Sequence, residues 1–485
     1  MERRTVVVVG SDALAQTCAL LLVQSSSMRK EHSRNVVSSI ILVDDAANLK
    51  NTHSPIYFSK YGKAVESVAH ALARINAGII RQYDSHAVVK DGVVIQYNSN
   101  AVERISIDAM PYATIDEAKP FISSSLRPDV VIDCKNDKDS WQDTLDYSKD
   151  IGACPIFAAA DAGWGGYSFK DYSTLKIGKT KQGAAISGVI GGLVIENVKR
   201  FWDNAPIIHK FQFKVPKGAS LEDVLSNKTV CVIGAGALGN VSIPELVLSG
   251  ANVKVVDHDD IETKNFDRQY LYHPDESLDT ISKYKANICE LRVNRLAENC
   301  QAHGRCSGTV RKINSNDDLS DIATDADIIL LNVDNDKTRM IVSDFAIKNS
   351  KPVIDVAIDD DGGRIAGFYP NKTKCLTHKL QYEATRGKPC GDVAVSARIL
   401  GSLSAIECFA SMNRNPLCGG SIWYENGIFV IKEQSEIDMT CNCTKSSNYS
   451  KDELSRRYDS FVFDDRKGPR RLSSALSGVL AGEPN

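Results

Sequence analysis

A glycine-rich turn and an acidic residue lie close together in the second half of the sequence, in a spacing that suits a nucleotide. Residues 229–257 read TVCVIGAGALGNVSIPELVLSGANVKVVD, in which Gly234, Gly236 and Gly239 separate an apolar run from a helical stretch. Glycines at this spacing let the backbone approach a phosphate, and the N-terminus of the following helix favours negative charge. Asp257 ends the next apolar run, where a carboxylate can accept hydrogen bonds from ribose hydroxyls. The segment predicts a nucleotide-binding site.

Basic and acidic side chains further along suggest which reaction the nucleotide undergoes. They occur in the segments DHDDIETKNFDRQ at 257–269, SKYKA at 282–286 and NVDNDKTR at 332–339. Arg268 and Lys285 can neutralise charge that grows on the α and β phosphates, while Asp334 can hold Mg²⁺. Taken singly, each could be a strand end, a turn cap or an exposed charge. The ordered set favours attack on ATP over hydride transfer, and a nicotinamide-dependent oxidoreductase or a nucleotide-binding scaffold without turnover stays the alternative.

The elements that must position these residues occur twice along the chain. Residues 5–45 follow the same plan, with TVVVVGSDALAQTCALLLVQ, a polar loop and IILVDD, and four later segments match in the same order. Alternating strands and helices predict a doubly wound sheet with ligand beyond the carboxyl ends of its strands. The predicted fold class is therefore α/β, with two tandem Rossmann-like doubly wound sheets that form an internal pseudo-dimer.

The first copy of the pattern has lost the residues that matter for chemistry. Gly10 is kept, but Asp12 and Ala15 replace the second and third glycines. Lys135 is predicted to fall where Asp334 lies in the second copy, and a lysine there would repel Mg²⁺. The pair of sheets is therefore expected to hold one working site, with the first half as a structural partner.

Length and composition set the domain organisation and exclude several classes of function. With 485 residues the chain exceeds one usual core, and we predict a degenerate domain at 1–210, an active domain at 225–445 and a flexible tail at 446–485. The net charge of -3 and a pI near 6.3 give no reason to bind nucleic acid or an anionic membrane. We expect no membrane span, no signal peptide and a cytoplasmic location. The 13 scattered cysteines argue against a disulfide framework.

The string GAGALG…VVDHDDIETKNFDRQYL…KYKA…VDNDKTR resembles the adenylation core of the ubiquitin-activating-enzyme superfamily, of the ThiF and MoeB type. The resemblance implies that Asp257 binds ribose, that Asn265 and Arg268 contact ATP phosphates, that Lys285 is the phosphate lysine and that Asp334 holds Mg²⁺.

Two details of the resemblance leave alternatives open. The lysine segment lies further downstream than the family pattern, so Lys283 competes with Lys285 for the phosphate. Larger activating enzymes of the family lend an arginine to the ATP site from their inactive half, and Arg3 and Arg4 occupy the matching place, although the helix that usually precedes it is absent.

Cys390 is the candidate nucleophile. It directly precedes a predicted helix, whose N-terminus can stabilise a thiolate, and Arg386 and Lys388 add positive potential. The segment is similar to the region that carries the thioester cysteine of the ubiquitin-fold-modifier activating enzyme. Cysteine is often merely buried, and some adenylating relatives have no catalytic cysteine, so the structural alternative stays open.

Two short motifs on either side of that region resemble the zinc-binding pairs of the family. Cys375 and His378 form the first motif, and Cys441 and Cys443 form the second. Three thiolates and one imidazole can bind Zn²⁺ tetrahedrally, so the resemblance implies a structural zinc site. Loop cysteines with an incidental histidine are the alternative.

The resemblance implies a complete reaction with defined partners. The enzyme would bind ATP and Mg²⁺ and activate the C-terminal carboxylate of a ubiquitin-like protein that ends in a glycine tail. Cys390 would then form a thioester and pass the modifier to a conjugating enzyme. The alternative keeps adenylation without an enzyme thioester and takes a sulfur-carrier protein or a ribosomal peptide as substrate. The aromatic segment FVFDD at 461–465 is a candidate docking strand.

Overall fold

The structure is a computed structural model of the chain. It describes residues 2–26, 35–45, 68–84, 86–90, 93–97, 104–122, 127–178, 183–215, 224–272, 282–359, 362–370, 373, 376, 393–413, 416–417, 421–425 and 428–432.

The N-terminal half contains two sheets and five α-helices among the described residues. Its strands are β1 (Glu2–Val9), β2 (Asn35–Asp44), β3 (Val88–Lys90), β4 (Val93–Gln96), β5 (Ser106–Pro111), β6 (Val130–Asp133), β7 (Cys154–Ala160), β8 (Trp164–Phe169) and β9 (Lys210–Lys214). Its helices are α1 (Ala13–Ser26), α2 (Val68–Tyr83), α3 (Ile115–Ala118), α4 (Lys138–Ile151) and α5 (Ala184–Trp202), with a 3-10 turn at Lys119–Phe121. The main sheet has the order β5-β2-β1-β6-β7-β8-β9, while β3 and β4 form a separate pair.

The C-terminal half repeats this plan around an eight-stranded sheet. Its strands are β10 (Thr229–Ile233), β11 (Asn252–Asp257), β12 (Arg305–Val310), β13 (Ile328–Leu331), β14 (Val353–Asp359), β15 (Gly362–Phe368), β16 (Ser421–Glu425) and β17 (Ile428–Lys432). Its helices are α6 (Gly239–Leu248), α7 (Lys285–Asn299), α8 (Asp317–Ser320), α9 (Asp336–Asn349) and α10 (Val393–Met412), with 3-10 turns at Thr263–Asn265 and Tyr270–Tyr272. The order is β12-β11-β10-β13-β14-β15-β16-β17.

The seven strands of the first sheet follow the same order as the first seven of the second, which adds β17 at its edge. In each, the first strand pairs in parallel with the second and with the strand after the crossover, β1 with β2 and β6, and β10 with β11 and β13. The sixth strand of each order, β8 or β15, runs antiparallel to its neighbour. The prediction of an α/β fold with two Rossmann-like sheets is therefore confirmed.

Apolar β-branched runs form the central strands because both faces of a parallel sheet are covered by helices. Val6 to Val9 in β1 and Val230 to Val232 in β10 are fully buried. Helix α10 is the one described helix long and apolar enough to cross a membrane, contrary to the expectation that no apolar run is long enough. Of its 18-residue apolar window, 94% is buried inside the protein, as in a core helix.

Helices α6 and α10 of the C-terminal half pack together around a buried charged group. Arg398 of α10 lies 3.5 Å from Glu245 of α6, and Ser402 donates a hydrogen bond of 2.7 Å to the same carboxylate. Burial raises the pKa of Glu245 to about 7, despite the nearby guanidinium. This contact replaces apolar packing with a polar link between the two helices.

The chain divides into two compact units, and the first includes short segments from the second half of the sequence. The first unit contains residues 1–212, 261–281 and 298–300, and the second contains 213–260, 282–297 and 301–485. Residues 261–281, which the predicted bounds placed in the active domain, therefore group with the N-terminal half. The predicted domain limits stay predictions, and the tail at 446–485, with FVFDD, lies outside the described residues.

The carboxylate at the end of β6 gives the N-terminal half a predictable pH dependence. Asp133 is fully buried and accepts hydrogen bonds of 2.8 Å from both Ser140 and Thr144 of α4. Burial raises its pKa from 3.8 to about 6, although these bonds and Lys135 oppose the shift. The folded protein thus holds this proton more tightly than the unfolded chain does.

We expect Asp133→Asn to flatten the stability of the protein between about pH 4 and pH 6. In the unchanged protein this group lowers the free energy of unfolding as the pH rises through that window, by on the order of 3 kcal/mol. Urea denaturation at a series of pH values measures the slope. Asp108→Asn, at an exposed carboxylate of the same half, is the control, and equal slopes in both variants would contradict the assignment.

Candidate active site

The glycine turn after β10 is shaped by close backbone contacts. Gly234 has a φ of +101°, and a Cβ there would lie 2.5 Å from the carbonyl oxygen of Asn332. A Cβ on Gly239 would lie 2.4 Å from the carbonyl oxygen of Gly234. Both positions therefore exclude a side chain. No side chain caps α6 at Leu238. A helix N-terminus favours negative charge, and the binding of a phosphate by this turn stays a prediction.

Asp257 is fixed against this turn. Its carboxylate accepts a hydrogen bond of 2.7 Å from the Ala235 amide and another of 2.7 Å from the Asp259 amide. Burial raises the pKa of Asp257, while the two amide bonds and nearby Lys285 lower it. The structure thus places the predicted ribose acid beside the predicted phosphate turn.

The structure separates the two competing lysines. Lys285 begins α7 with a side chain that is 8% exposed, and its Nζ lies 2.9 Å from the Asp259 carboxylate. Lys283 has a side chain that is 65% exposed and pairs with Asp260 at 2.9 Å. Both lysines therefore pair with carboxylates of the loop that follows Asp257, Lys285 from a buried position and Lys283 from an exposed one. The choice of Lys285 as the phosphate lysine stays a prediction.

Asp334 lies in the loop after β13, the strand next to β10. Its side chain is exposed, and the following residue, Asn335, caps α9 by accepting a hydrogen bond of 2.9 Å from Thr338. The contact of Gly234 with Asn332 places this loop directly against the glycine turn. The second unit therefore brings together the three glycines, Asp257, Lys285 and Asp334 at the carboxyl edge of its sheet.

These carboxylates suit a magnesium ion that arrives with a nucleotide. The ligand atoms of Asp257, His258 and Asp259 lie within 4.8 Å of one another. Mg²⁺ is usually held by one or two carboxylates together with substrate phosphates. Exposed Asp334 and the Asp257 cluster offer oxygen ligands of that kind, and Asp334 stays the predicted magnesium residue.

A buried ion network fixes the loop that carries Asp334, and the sequence analysis missed it. Arg339 lies 3.0 Å from the Asp355 carboxylate and also donates to the carbonyl of Val333, the residue before Asp334. Arg364 lies 2.6 Å from the other Asp355 oxygen. Burial favours neutral Asp355, yet the Arg364 and Arg339 guanidiniums hold its pKa below the usual value. The sequence does contain a sign of this network, because Asp355 is an acidic residue inside the otherwise apolar run VIDVA of β14.

The Asn-x-x-Arg element lies in the first unit. Asn265 is buried and accepts a hydrogen bond of 3.2 Å from the Glu262 amide, so its side chain builds the turn. Arg268 donates to the Asp267 carboxylate at 2.7 Å and to the Lys264 carbonyl at 3.0 Å. The convergence of Arg268 and Lys285 on one triphosphate stays a prediction.

The equivalent acid in the N-terminal half is paired with side chains of its own half. Asp44 ends β2 as Asp257 ends β11, since Val43 pairs with Val9 as Val256 pairs with Ile233. Its carboxylate lies 3.3 Å from the Lys135 ammonium and accepts a hydrogen bond of 2.8 Å from Ser11. An internal cation therefore neutralises the acid of the first copy.

The strand register corrects one detail of the sequence comparison. Val9 pairs with Asp133, as Ile233 pairs with Leu331, so the residue equivalent to Asp334 is Asn136 and not Lys135. Asn136 accepts a hydrogen bond of 2.6 Å from the Gly178 amide. The first copy thus lacks the acid, as expected, but through an asparagine used in a loop contact. Arg4 of β1 forms an ion pair of 2.8 Å with Asp129, and an arginine donated by this half stays a prediction.

The predicted nucleophile and zinc ligands lie outside the described residues. These residues are Cys390, Cys375, His378, Cys441 and Cys443. Their assignments stay predictions.

The fold and this edge of the sheet are those of a Rossmann-like domain, and comparison with known proteins names its family. Residues 211–445 match the model of the ThiF family, so this part of the chain is a ThiF-family domain of the ThiF and MoeB superfamily.

Curated relatives share this domain. The sulfur carrier protein ThiS adenylyltransferase of Bacillus subtilis is 30% identical over 181 residues, which cover 37% of this chain and 52% of that protein. The adenylyltransferase and sulfurtransferase UBA4 of Kluyveromyces lactis is 33% identical over 147 residues, which cover 30% of this chain and 31% of that protein. The chain thus spans about half or less of the length of these relatives. A structure of Escherichia coli MccB with ATP aligns with a TM-score of 0.38 and 22% identity, covering 46% of this chain and 68% of that one.

We expect Asp355→Ala to destabilise the protein by about 3–5 kcal/mol, because it leaves two buried guanidiniums without their shared carboxylate. The free energy of unfolding in urea measures the loss. Asp325→Ala, which removes an exposed ion pair with Lys254, is the control and should cost much less. Equal losses would show that the buried network stabilises the folded protein no more than an exposed ion pair does.

Proposed function

We propose that this protein uses ATP to adenylate the C-terminal carboxylate of a small carrier protein or peptide. The observation that supports the proposal most is the shared edge of the second sheet, where the glycine turn, Asp257, Lys285 and Asp334 meet. The curated relatives, which are adenylyltransferases of the ThiS and UBA4 type, agree with this chemistry.

The reaction joins the carboxylate to AMP. A carboxylate oxygen of the carrier attacks the α-phosphorus of ATP, the bond from that phosphorus to the bridging oxygen breaks, and pyrophosphate leaves. The product is an acyl-adenylate, and no proton or electron has to be supplied. Most of the barrier comes from charge on the phosphate oxygens, so fixed positive groups and hydrogen-bond donors lower it.

Each residue of the site has a part in this step. Amides of the glycine turn and the N-terminus of α6 receive phosphate oxygens, and Asp257 accepts hydrogen bonds from ribose. Lys285, held by Asp259, donates to the phosphates, and Arg268 carries the phosphate contact that the family pattern implies. Asp334 would hold Mg²⁺, which would neutralise negative charge on the phosphates.

The carrier and the fate of the acyl-adenylate define two versions of the proposal. In the first, the carrier is a ubiquitin-like protein with a C-terminal glycine tail, the Cys390 thiolate displaces AMP to form a thioester, and a conjugating enzyme accepts the modifier. In the second, a sulfur-carrier protein or ribosomal peptide leaves without an enzyme thioester. The names of the curated relatives favour a sulfur carrier, while the position of Cys390 before a helix favours the thioester.

We expect Asp334→Ala to reduce exchange of pyrophosphate into ATP, measured with candidate glycine-ended carriers, by at least about a hundredfold. Loss of one group that stabilises transition-state charge commonly costs about 2.7–4 kcal/mol. The control Asp317→Ala removes another exposed carboxylate of the same half and should exchange normally. An unchanged rate of pyrophosphate exchange in Asp334→Ala would contradict the assignment of Asp334 as the magnesium residue.

We expect a carrier adduct that survives denaturation and is released by a thiol reductant, provided that Cys390 is the nucleophile. Cys390→Ala should abolish this adduct while pyrophosphate exchange continues, because adenylation precedes the thioester. Cys300→Ala, at a half-buried cysteine, should keep it. Exchange without any adduct in the unchanged protein would select the second version.

A further inference from the structure

The carboxylate of Asp267 joins two parts of the first unit that are far apart in the sequence. It accepts hydrogen bonds from Gln82 at 2.9 Å and Tyr83 at 3.0 Å, both at the end of α2. Its other oxygen lies 2.7 Å from a terminal nitrogen of Arg268. The Asp267 side chain is only 3% exposed, so its charge depends on these partners.

Gln82 holds the Asp267 residue at two points. Its side-chain nitrogen donates to the Asp267 carboxylate, and its side-chain oxygen accepts a hydrogen bond of 3.1 Å from the Asp267 amide. This double contact fixes both the backbone and the side chain of Asp267. Since α2 belongs to the N-terminal half, the eroded copy sets the place of this carboxylate.

Arg268 is restrained at one end of its guanidinium. The same terminal nitrogen donates to Asp267 and to the Lys264 carbonyl. Within the part of the chain that the structure describes, no protein acceptor bonds its Nε or its second terminal nitrogen. The Arg268 side chain is 28% exposed. These remaining donors suit the oxygen atoms of a phosphate, which a planar guanidinium binds with two parallel hydrogen bonds.

We propose that Asp267 is a positioning residue for Arg268, and that Gln82 and Tyr83 of the N-terminal half hold it in place. The eroded half then contributes to ATP binding through the orientation of one arginine and needs no residue in contact with ATP. This inference rests on the proposed function, because the phosphate contact of Arg268 is part of that proposal.

The experiment measures the affinity of the full chain for MgATP by titration calorimetry, which needs no carrier. Asp267→Asn keeps the size of the side chain but removes its charge, and should weaken binding by about tenfold or more. Tyr83→Phe should weaken it by about threefold to tenfold, because it removes one hydrogen bond. Asp267→Glu, which keeps the carboxylate, should recover part of the affinity lost in Asp267→Ala.

Repeating these substitutions in an Arg268→Ala background separates positioning from a general structural effect. If Asp267 and Tyr83 act through Arg268, their substitution costs no further affinity once the arginine is gone. Tyr172→Phe, which removes a tyrosine hydrogen bond of 2.6 Å to Gln142 in the same half, is the matched control and should bind normally. Thermal unfolding midpoints of all variants identify any that fail to fold.

The outcomes distinguish this inference from the proposed function. Weak binding in Arg268→Ala together with normal binding in both Asp267→Asn and Tyr83→Phe would overturn the positioning of Arg268 and leave the proposed function standing. Losses of equal size with and without Arg268 would also overturn it. Normal MgATP binding by Arg268→Ala, or no MgATP binding by the unchanged protein, would contradict the phosphate contact of Arg268. The inference about Asp267 would then be wrong as well.

Discussion

At Gly234 the backbone of the glycine turn touches the loop that follows β13, and the rest of the site is built outward from this contact. The Gly234 amide donates to the Val256 carbonyl at 2.9 Å, and the next amide, that of Ala235, donates to Asp257. The Asn332 carbonyl fills the place of a side chain. This turn therefore fixes the ends of β10, β11 and β13, and it holds Asp257 and the loop that carries Asp334 at the carboxyl edge of the sheet.

The N-terminal half keeps part of the same architecture around an acid of its own. It keeps the positive φ of Gly10 and the hydrogen bond from the Gly10 amide to the Val43 carbonyl, at 2.8 Å. It also keeps an acid at the end of the second strand, but Lys135 and Ser11 satisfy that acid internally. A buried carboxylate requires compensation by hydrogen bonds or an opposite charge. In this half Lys135 supplies the opposite charge, whereas the amides of Ala235 and Asp259 compensate the equivalent Asp257.

The sequence was enough to predict the two sheets, because strand runs and glycine turns are local patterns that repeat in the same order. It also identified residues that the structure gathers at one edge, Asp257, Lys285 and Asp334, since parallel strands bring their carboxyl ends together. It could not choose between Lys283 and Lys285, which differ in burial rather than in type. Nor could it identify the partners of Arg339 and Asp267, because both pairings depend on tertiary contacts. The equivalence of Lys135 with Asp334 was wrong by one residue, an error that only the strand register reveals.

The hydrogen bonds between Gln82 and Asp267 join residues 185 positions apart, which has a consequence for the order in which the chain can fold. During synthesis the N-terminal sheet leaves the ribosome first and has time to form before residues 261–281 emerge. Asp267 can then pair with Gln82 and Tyr83 of α2, whereas the sheet of the second unit still lacks its later strands. Vectorial translation thus allows the N-terminal sheet to form before the second sheet, and α2 is in place to fix Asp267 as soon as that residue emerges.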